Sequence, residues 1–272
     1  MNKYVKERWD DMKIGIFGAG HMGSAMIKGW VQSNEIKPED ILVKGGRSNT
    51  AEELQKTIPF KLTDHVADFN QVDIIFLAVK TPIILPVIHE LKNFLKSSIP
   101  IVSVSAGVPV SEMQVALGEA YPVAQAIPNT PVQINQGITG IVYADSITDA
   151  QKERIHQSLA ILGMVKEISA DNIDIFGTLA GCGPAFVDVF MEALGDAAVL
   201  HGMNRELAYE VVAKMVSGAA NLLSESKKHP GELKDGVTSP GGTTIKGVVA
   251  LEKNGFRYAA ISSIDTIMES YE

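Results

Sequence analysis

The sequence predicts an α/β chain in two parts, a doubly wound sheet with helices followed by an all-helical part. Three observations carry this. Short β-branched runs alternate with helical patterns through the first half of the chain. Several of those runs are apolar almost throughout, as expected for parallel strands covered on both faces. From about Ser169 onward no strand pattern remains, only long segments of helical periodicity. The expected domains are therefore 1–168 and 169–272.

In order, residues 13–17, 41–43, 72–79, 99–104 and 138–143 read as strands, and 22–32, 50–56, 82–95, 110–117 and 148–162 as the helices between and after them. In the second part, helices are expected at 173–201, 205–226, 243–253 and 257–271. Asp171 and Asn204 are suited to cap helix N-termini, and Gly202 to stop a helix. Ala208, Val211, Val212, Met215 and Ala219 form one apolar stripe. A bundle this rich in Ala, Gly and Met suits packing against a second copy.

Composition narrows the function. The chain has 272 residues, 46% hydrophobic and 21% charged, which is ordinary for a globular protein and argues against disorder. A net charge of −8 offers no basic footprint for nucleic acid or an anionic membrane surface. The single cysteine excludes an intramolecular disulfide and a cysteine zinc site, and no metal site is expected. No apolar run is read as long enough to span a membrane. Residues 1–12 are charged, unlike a secretory signal, so the expectation is a soluble, cytoplasmic enzyme.

The clearest chemical motif is Gly18, Ala19, Gly20, His21, Met22 and Gly23, which follows the first strand and opens the first helix. Gly18 permits the tight turn, Gly20 the approach of a pyrophosphate, and Gly23 close helix–strand packing. The helix N-terminus offers free N–H groups and partial positive charge to the anion. In a first βαβ unit this predicts a Rossmann-like dinucleotide site. His21 is read as a loop residue touching cofactor or solvent rather than as a proton carrier. After the second strand the usual acid for a ribose 2′-hydroxyl is missing. Lys44, Arg47, Ser48 and Asn49 stand there instead, which favours NADP(H), with NAD(H) a weaker alternative.

Several blocks together resemble pyrroline-5-carboxylate reductase. They are IFGAGHMG at 16–23, AVKTP at 78–82, PNTP at 128–131, GCGPAF at 181–186, EALGD at 192–196 and LKDGVTSPGGTTI at 233–245. They follow the family's order and span almost the whole chain, leaving only the first dozen residues as an extension. The resemblance implies a nucleotide domain followed by a helical dimerisation domain, forming a homodimer often assembled into a decamer. It implies hydride transfer from NADPH to C5 of 1-pyrroline-5-carboxylate, giving L-proline. It places Ala78, Val79, Lys80 and Asn129 against the nicotinamide half of the cofactor, and Thr244 beside the ring nitrogen of the substrate.

Elementary chemistry supports these placements. Residues 78–80 end a strand on the carboxyl edge of the sheet, where open α/β folds bind ligands. Lys80 is read chiefly as a cofactor contact or a solvated lysine, with a catalytic acid as the sharper alternative. Gly241, Gly242 and Thr243 can present N–H groups to a carboxylate at a helix start, beside Ser239 and the hydroxyl of Thr244. A plain turn capped by Ser239 fits the same residues. Asp188, Glu192 and Asp196 recur every four residues, which is read as a solvated or interface face rather than a metal site. Cys182 is read as a small packing residue.

Two other functions compete. A 3-hydroxyacid dehydrogenase of the 6-phosphogluconate type would need a lysine four residues after Gly183, where Val187 stands. A dinucleotide-binding regulatory protein without catalysis would have no need of the intact block at 237–244.

Overall fold

The computed structural model describes residues 12–271, and most of the charged stretch read above as an extension lies outside the described residues. The chain falls into two compact units, one ending at Gly181 and the other beginning at Cys182. The first contains β1 (Ile14–Phe17), α1 (His21–Gln32), β2 (Ile41–Lys44), α2 (Thr50–Gln55) and β3 (Lys61–Leu62). There follow β4 (Ile74–Leu77), α3 (Thr81–Lys92), β5 (Ile101–Ser103), α4 (Val110–Leu117), β6 (Val123–Pro128), β7 (Gly137–Tyr143), α5 (Asp149–Ala160) and β8 (Gly163–Glu167). They form one eight-stranded sheet in the order β3-β2-β1-β4-β5-β6-β7-β8.

All pairings are parallel except β6 with β7, where Ile127 lies opposite Gly140 in an antiparallel ladder. The apolar strand runs are explained by two cores. Ile14, Ile16, Ile74 and Phe76 feed one face of the sheet, while Phe17, Ile75 and Leu77 feed the other. With both faces covered, successive residues are all buried and no polar alternation appears. Trp30 anchors α1 in the first core and donates from Nε1 to the Ser158 carbonyl of α5 at 2.7 Å.

Three strands lacked a usable sequence signal. β3 has two residues. β6 reads VAQAIP, with small and polar residues in place of a β-branched run, and yet is buried along its whole length. β8 reads GMVKE and is mostly exposed, as suits the edge of a sheet.

The expected helix at 173–201 is interrupted. α6 (Ile173–Gly177) leads into a π turn (Thr178–Cys182) and then α7 (Gly183–Leu200). Pro184 has no N–H to return to the carbonyl of Ala180, so the regular ladder cannot pass that point. Ile173 is buried and Phe176 packs where a side chain on Gly140 would stand, so this segment belongs to the first compact unit.

The second unit holds α7, α8 (Arg205–Ser226), α9 (Pro230–Gly236), α10 (Thr243–Lys253) and α11 (Phe256–Met268). The Asn204 side chain caps α8 by accepting from the N–H groups of Glu206 and Leu207, and Gly202 stops α7 at φ +90°. Asp171 does not cap: it lies within a short 3₁₀ turn, and Asn172 holds the N-cap position of α6. Among the described residues from 182 onward only Gly195, Ala208 and Val212 are buried. Two members of the expected stripe, Val211 and Met215, are 49% and 47% exposed. The α8 helix is apolar on two faces, and the described residues cover only one of them.

The expectation that nothing in the chain could span a membrane is corrected. Ala170–Leu200 is long and apolar enough to do so by length and composition.

Candidate active site

The sheet order reverses between β1 and β4, and the crevice outside their carboxyl ends is where an open α/β sheet binds a ligand. The turn after β1 and the turn after β4 meet there. Gly18 takes φ +94° and its N–H donates to the Lys44 carbonyl at 2.9 Å. A Cβ on Gly18 would stand 2.5 Å from the Ala78 carbonyl oxygen, and one on Gly23 would overlap the backbone of Gly18. These two glycines are required by the chain itself. Gly20 differs: it is the N-cap of α1, and a Cβ there would meet nothing within 4 Å. The space in front of Gly20 is open to a ligand, and no side chain caps the helix N–H groups that face it.

A cavity of about 720 Å³ opens from this turn along α1 and α2, lined by Ala19, Gly20, His21 and Asn49 from the expected set. It also includes Ser24, Lys28 and Gln133, which motif reading missed. Ser24 and Lys28 could have been found from helical spacing, because they lie three and seven residues beyond His21 on the same face. Ser24 donates its hydroxyl to the Ala19 carbonyl at 2.6 Å, which stiffens the turn. Met22 is half-buried against the core.

At the end of β2 the cationic residues separate. Lys44 is tied down, donating from Nζ to the Asp64 carbonyl at 2.8 Å. Arg47 is exposed, and among the described residues it makes no hydrogen bond or ion pair. Ser48 and Thr50 share a hydroxyl contact at 3.1 Å. Arg47 thus stands open to an anion at this edge, beside the exposed Ser48.

Ala78 and Val79 are half-buried at the end of β4, and Lys80 is exposed as the N-cap of α3. Asn129 follows β6 and is buried. Its side chain is committed to the protein: Oδ1 accepts from the Ile138 N–H at 2.9 Å, and Nδ2 donates to the Ala180 carbonyl at 3.2 Å. Pro184, four residues further on, has no N–H to donate to that carbonyl. The Asn129 amide therefore holds the 128–131 turn against the π turn.

In the second unit, Gly241 takes φ +69° and Gly242 is the N-cap of α10. No side chain caps this helix, so Ser239 does not close the turn as an N-cap. Instead the Gly242 N–H donates to the Ser239 carbonyl at 3.0 Å, and a Cβ on Gly242 would stand 2.5 Å from the Ser239 hydroxyl. Thr243 and Thr244 occupy the first turn, both exposed, and their N–H groups face outward from the helix start.

The acidic stripe of α7 divides. Asp196 pairs with Arg205 at 2.7 Å, whereas Asp188 and Glu192 line a cavity of about 440 Å³ beside Tyr209. Among the described residues no group of three or more His, Cys, Asp and Glu could hold a metal ion. Cys182 is half-buried.

Comparison with known proteins agrees along the length of the chain. Residues 170–272 match the family described as pyrroline-5-carboxylate reductase dimerisation, so a dimerisation domain is present. Residues 13–107 match the family described as NADP oxidoreductase coenzyme F420-dependent. The pyrroline-5-carboxylate reductase of Methanosarcina acetivorans is 36% identical over 94% of this chain and 95% of its own. That of Escherichia coli is 35% identical over 96% and 98%. A crystal structure of the Plasmodium falciparum pyrroline carboxylate reductase with NADP bound aligns at a TM-score of 0.85. It is 29% identical, with 96% of this chain and 97% of that one covered. A mostly parallel sheet covered on both faces, with a glycine turn at its switch point, followed by a helical dimerisation domain and matched over more than nine-tenths of its length by these relatives, places the chain in the pyrroline-5-carboxylate reductase family.

Proposed function

We propose that this chain reduces 1-pyrroline-5-carboxylate to L-proline with NADPH. The observation that carries the reading is the open cradle at Gly20, set at the switch point of a sheet whose relatives along the full length are reductases of that name. Bound NADPH supplies a hydride from C4 of its nicotinamide. The protein's share is alignment, because a protonated imine is already electrophilic. The uncapped N–H groups of α1, with Ala19, His21 and Met22 beside them, receive the pyrophosphate, and Gly18 and Gly23 hold the turn in shape. Arg47, Ser48 and Asn49 hold the 2′-phosphate. NAD(H), lacking that phosphate, is the weaker cofactor.

Ala78, Val79 and Lys80 border the nicotinamide, and Lys80 acts as a contact rather than as an acid. Asn129 sets the position of its turn through the two bonds described above. Ser239, Gly241, Gly242 and Thr243 bind the substrate carboxylate, and Thr244 donates to the ring nitrogen. The domains divide by role at 168/169. A second copy covers the exposed apolar faces of the helical unit, those of Gly183–Leu200 included, so the protein works as a cytoplasmic homodimer that can assemble into a decamer. Its other partner is the small substrate, with no role for nucleic acid or membrane.

The test is NADPH oxidation by the purified chain with pyrroline-5-carboxylate, followed by nicotinamide absorbance and by recovery of proline. Oxidation no faster than the substrate-free blank would leave the regulatory reading in its place.

A further inference from the structure

We infer that Gln125 is a positioning residue that fixes the loop after β5 and, through it, the turn at 78–81. The inference rests on the reading of that turn as the nicotinamide border. Gln125 lies on β6, 3% exposed, in register with Ser103 of β5. Its amide nitrogen donates both hydrogens upward, to the Ser105 carbonyl at 3.1 Å and the Ala106 carbonyl at 2.7 Å. The loop so held is joined to the β4 turn by two further contacts. The hydroxyls of Ser105 and Thr81 lie 3.0 Å apart, and a Cβ on Gly107 would overlap the Thr81 side chain. The β5 strand end is itself anchored, with the Val104 N–H donating to the Leu77 carbonyl at 3.0 Å. A rigid chain of contacts thus runs from Gln125 through Ser105 and Thr81 to Lys80 at the crevice.

Chemistry singles out the amide. Two carbonyl acceptors need two donors from one side, and an uncharged primary amide gives both without burying a charge. Beside it the Ser103 hydroxyl is fully buried and, among the described residues, has no hydrogen-bond partner. Removing the amide leaves two carbonyls without donors and frees the loop, while the phosphate sites at residues 18–23 and 47–49 are untouched. The cost should therefore fall on nicotinamide alignment and not on affinity for NADPH.

The experiment compares Gln125→Leu, Gln125→Glu, Ser105→Ala and Ser103→Ala in the full chain. Gln125→Leu should lower kcat about 10- to 100-fold, with KM for NADPH within about threefold of wild type. Hydrogen exchange at residues 104–108 should rise, and the fluorescence yield of bound NADPH should fall as its nicotinamide loosens. In Gln125→Glu the buried carboxylate faces two carbonyls and is held towards its protonated form, which restores one donor. Its kcat relative to wild type should rise as pH falls, whereas the ratio for Gln125→Leu stays flat. Ser105→Ala, at a half-buried site that tolerates the change, should lower kcat about 2- to 10-fold and serves if Gln125→Leu does not fold. Ser103→Ala removes an unpaired hydroxyl and should stay within about twofold. Unchanged kcat and unchanged NADPH fluorescence in the folded Gln125 variants, or a Gln125→Glu pH profile parallel to wild type, overturns the inference. A wild-type chain that binds NADPH but does not reduce the imine overturns the functional reading alone, because exchange and fluorescence still decide the role of Gln125.

Discussion

On the proposed function, two residues should decide most about what is bound, Arg47 for the cofactor and Thr244 for the substrate. Arg47 is exposed just past β2 and without an ion pair among the described residues, whereas Lys44 is already held by the Asp64 carbonyl. Arg47→Asp should therefore raise KM for NADPH much more than for NADH, since the Coulomb term reverses for a 2′-phosphate and is nearly absent for a hydroxyl. Equal losses with both cofactors would remove Arg47 from the phosphate site. In the helical unit, Thr244→Val keeps the shape of the first turn of α10 and removes one donor. A hydrogen bond to a charged partner contributes about 1.5–3 kcal/mol, so kcat/KM for the imine should fall about 10- to 100-fold. NADPH affinity, measured by fluorescence titration, should hardly move. Gly242→Val should do more harm, because its side chain would press on the Ser239 hydroxyl and close over the helix start. Wild-type turnover by both Thr244 and Gly242 variants would leave residues 237–244 as a turn only.

At the scale of elements, α1 is the part whose placement matters most, because its N-terminus is the proposed phosphate cradle. Trp30 fixes its far end to α5, and Gly29 lets it lie against the backbone of Val132. Gly29→Ala would gain about 0.5–1 kcal/mol in helix propensity, but its methyl would overlap the Val132 carbonyl. Overpacking costs about 1–3 kcal/mol, so the second effect should win. A lower melting temperature together with weaker NADPH binding is the expected result. A variant as stable as wild type would mean that α1 can shift without cost. Much at this scale was legible in advance. Thr243–Lys253 and Arg205–Ser226 are the helices that periodicity and the Asn204 cap predict, because both signals are local. β6 was not legible, since VAQAIP forms a strand only through its neighbours β5 and β7.

For the whole molecule the dominant fact is the exposed apolar surface of the helical unit. On α8 the outward stripe of Leu207, Val211, Met215 and Leu222 is between 47% and 55% exposed in a single chain. A face of that kind marks an interaction surface, and the dimerisation family matched by residues 170–272 says which kind. Leu222→Asp should shift the protein towards monomer in sedimentation experiments and lower its melting temperature. The nucleotide unit has its own buried core and should still bind NADPH. An unchanged sedimentation profile would place the interface on other helices.

The sequence by itself determined whatever depends on neighbours within a few residues. That includes strand–helix alternation, the glycine turn at 18–23, the start of α10 and the absence of an acid after β2. Tertiary structure alone decided the rest. It set the antiparallel β6–β7 pair and joined Gln125 to the loop after β5. It also tied the Asn129 side chain to Ile138 and Ala180, nine and fifty-one residues away. The physical reason is common to these cases. A buried amide or carbonyl must find a partner, and which partner stands opposite depends on sheet order and packing that no local pattern records.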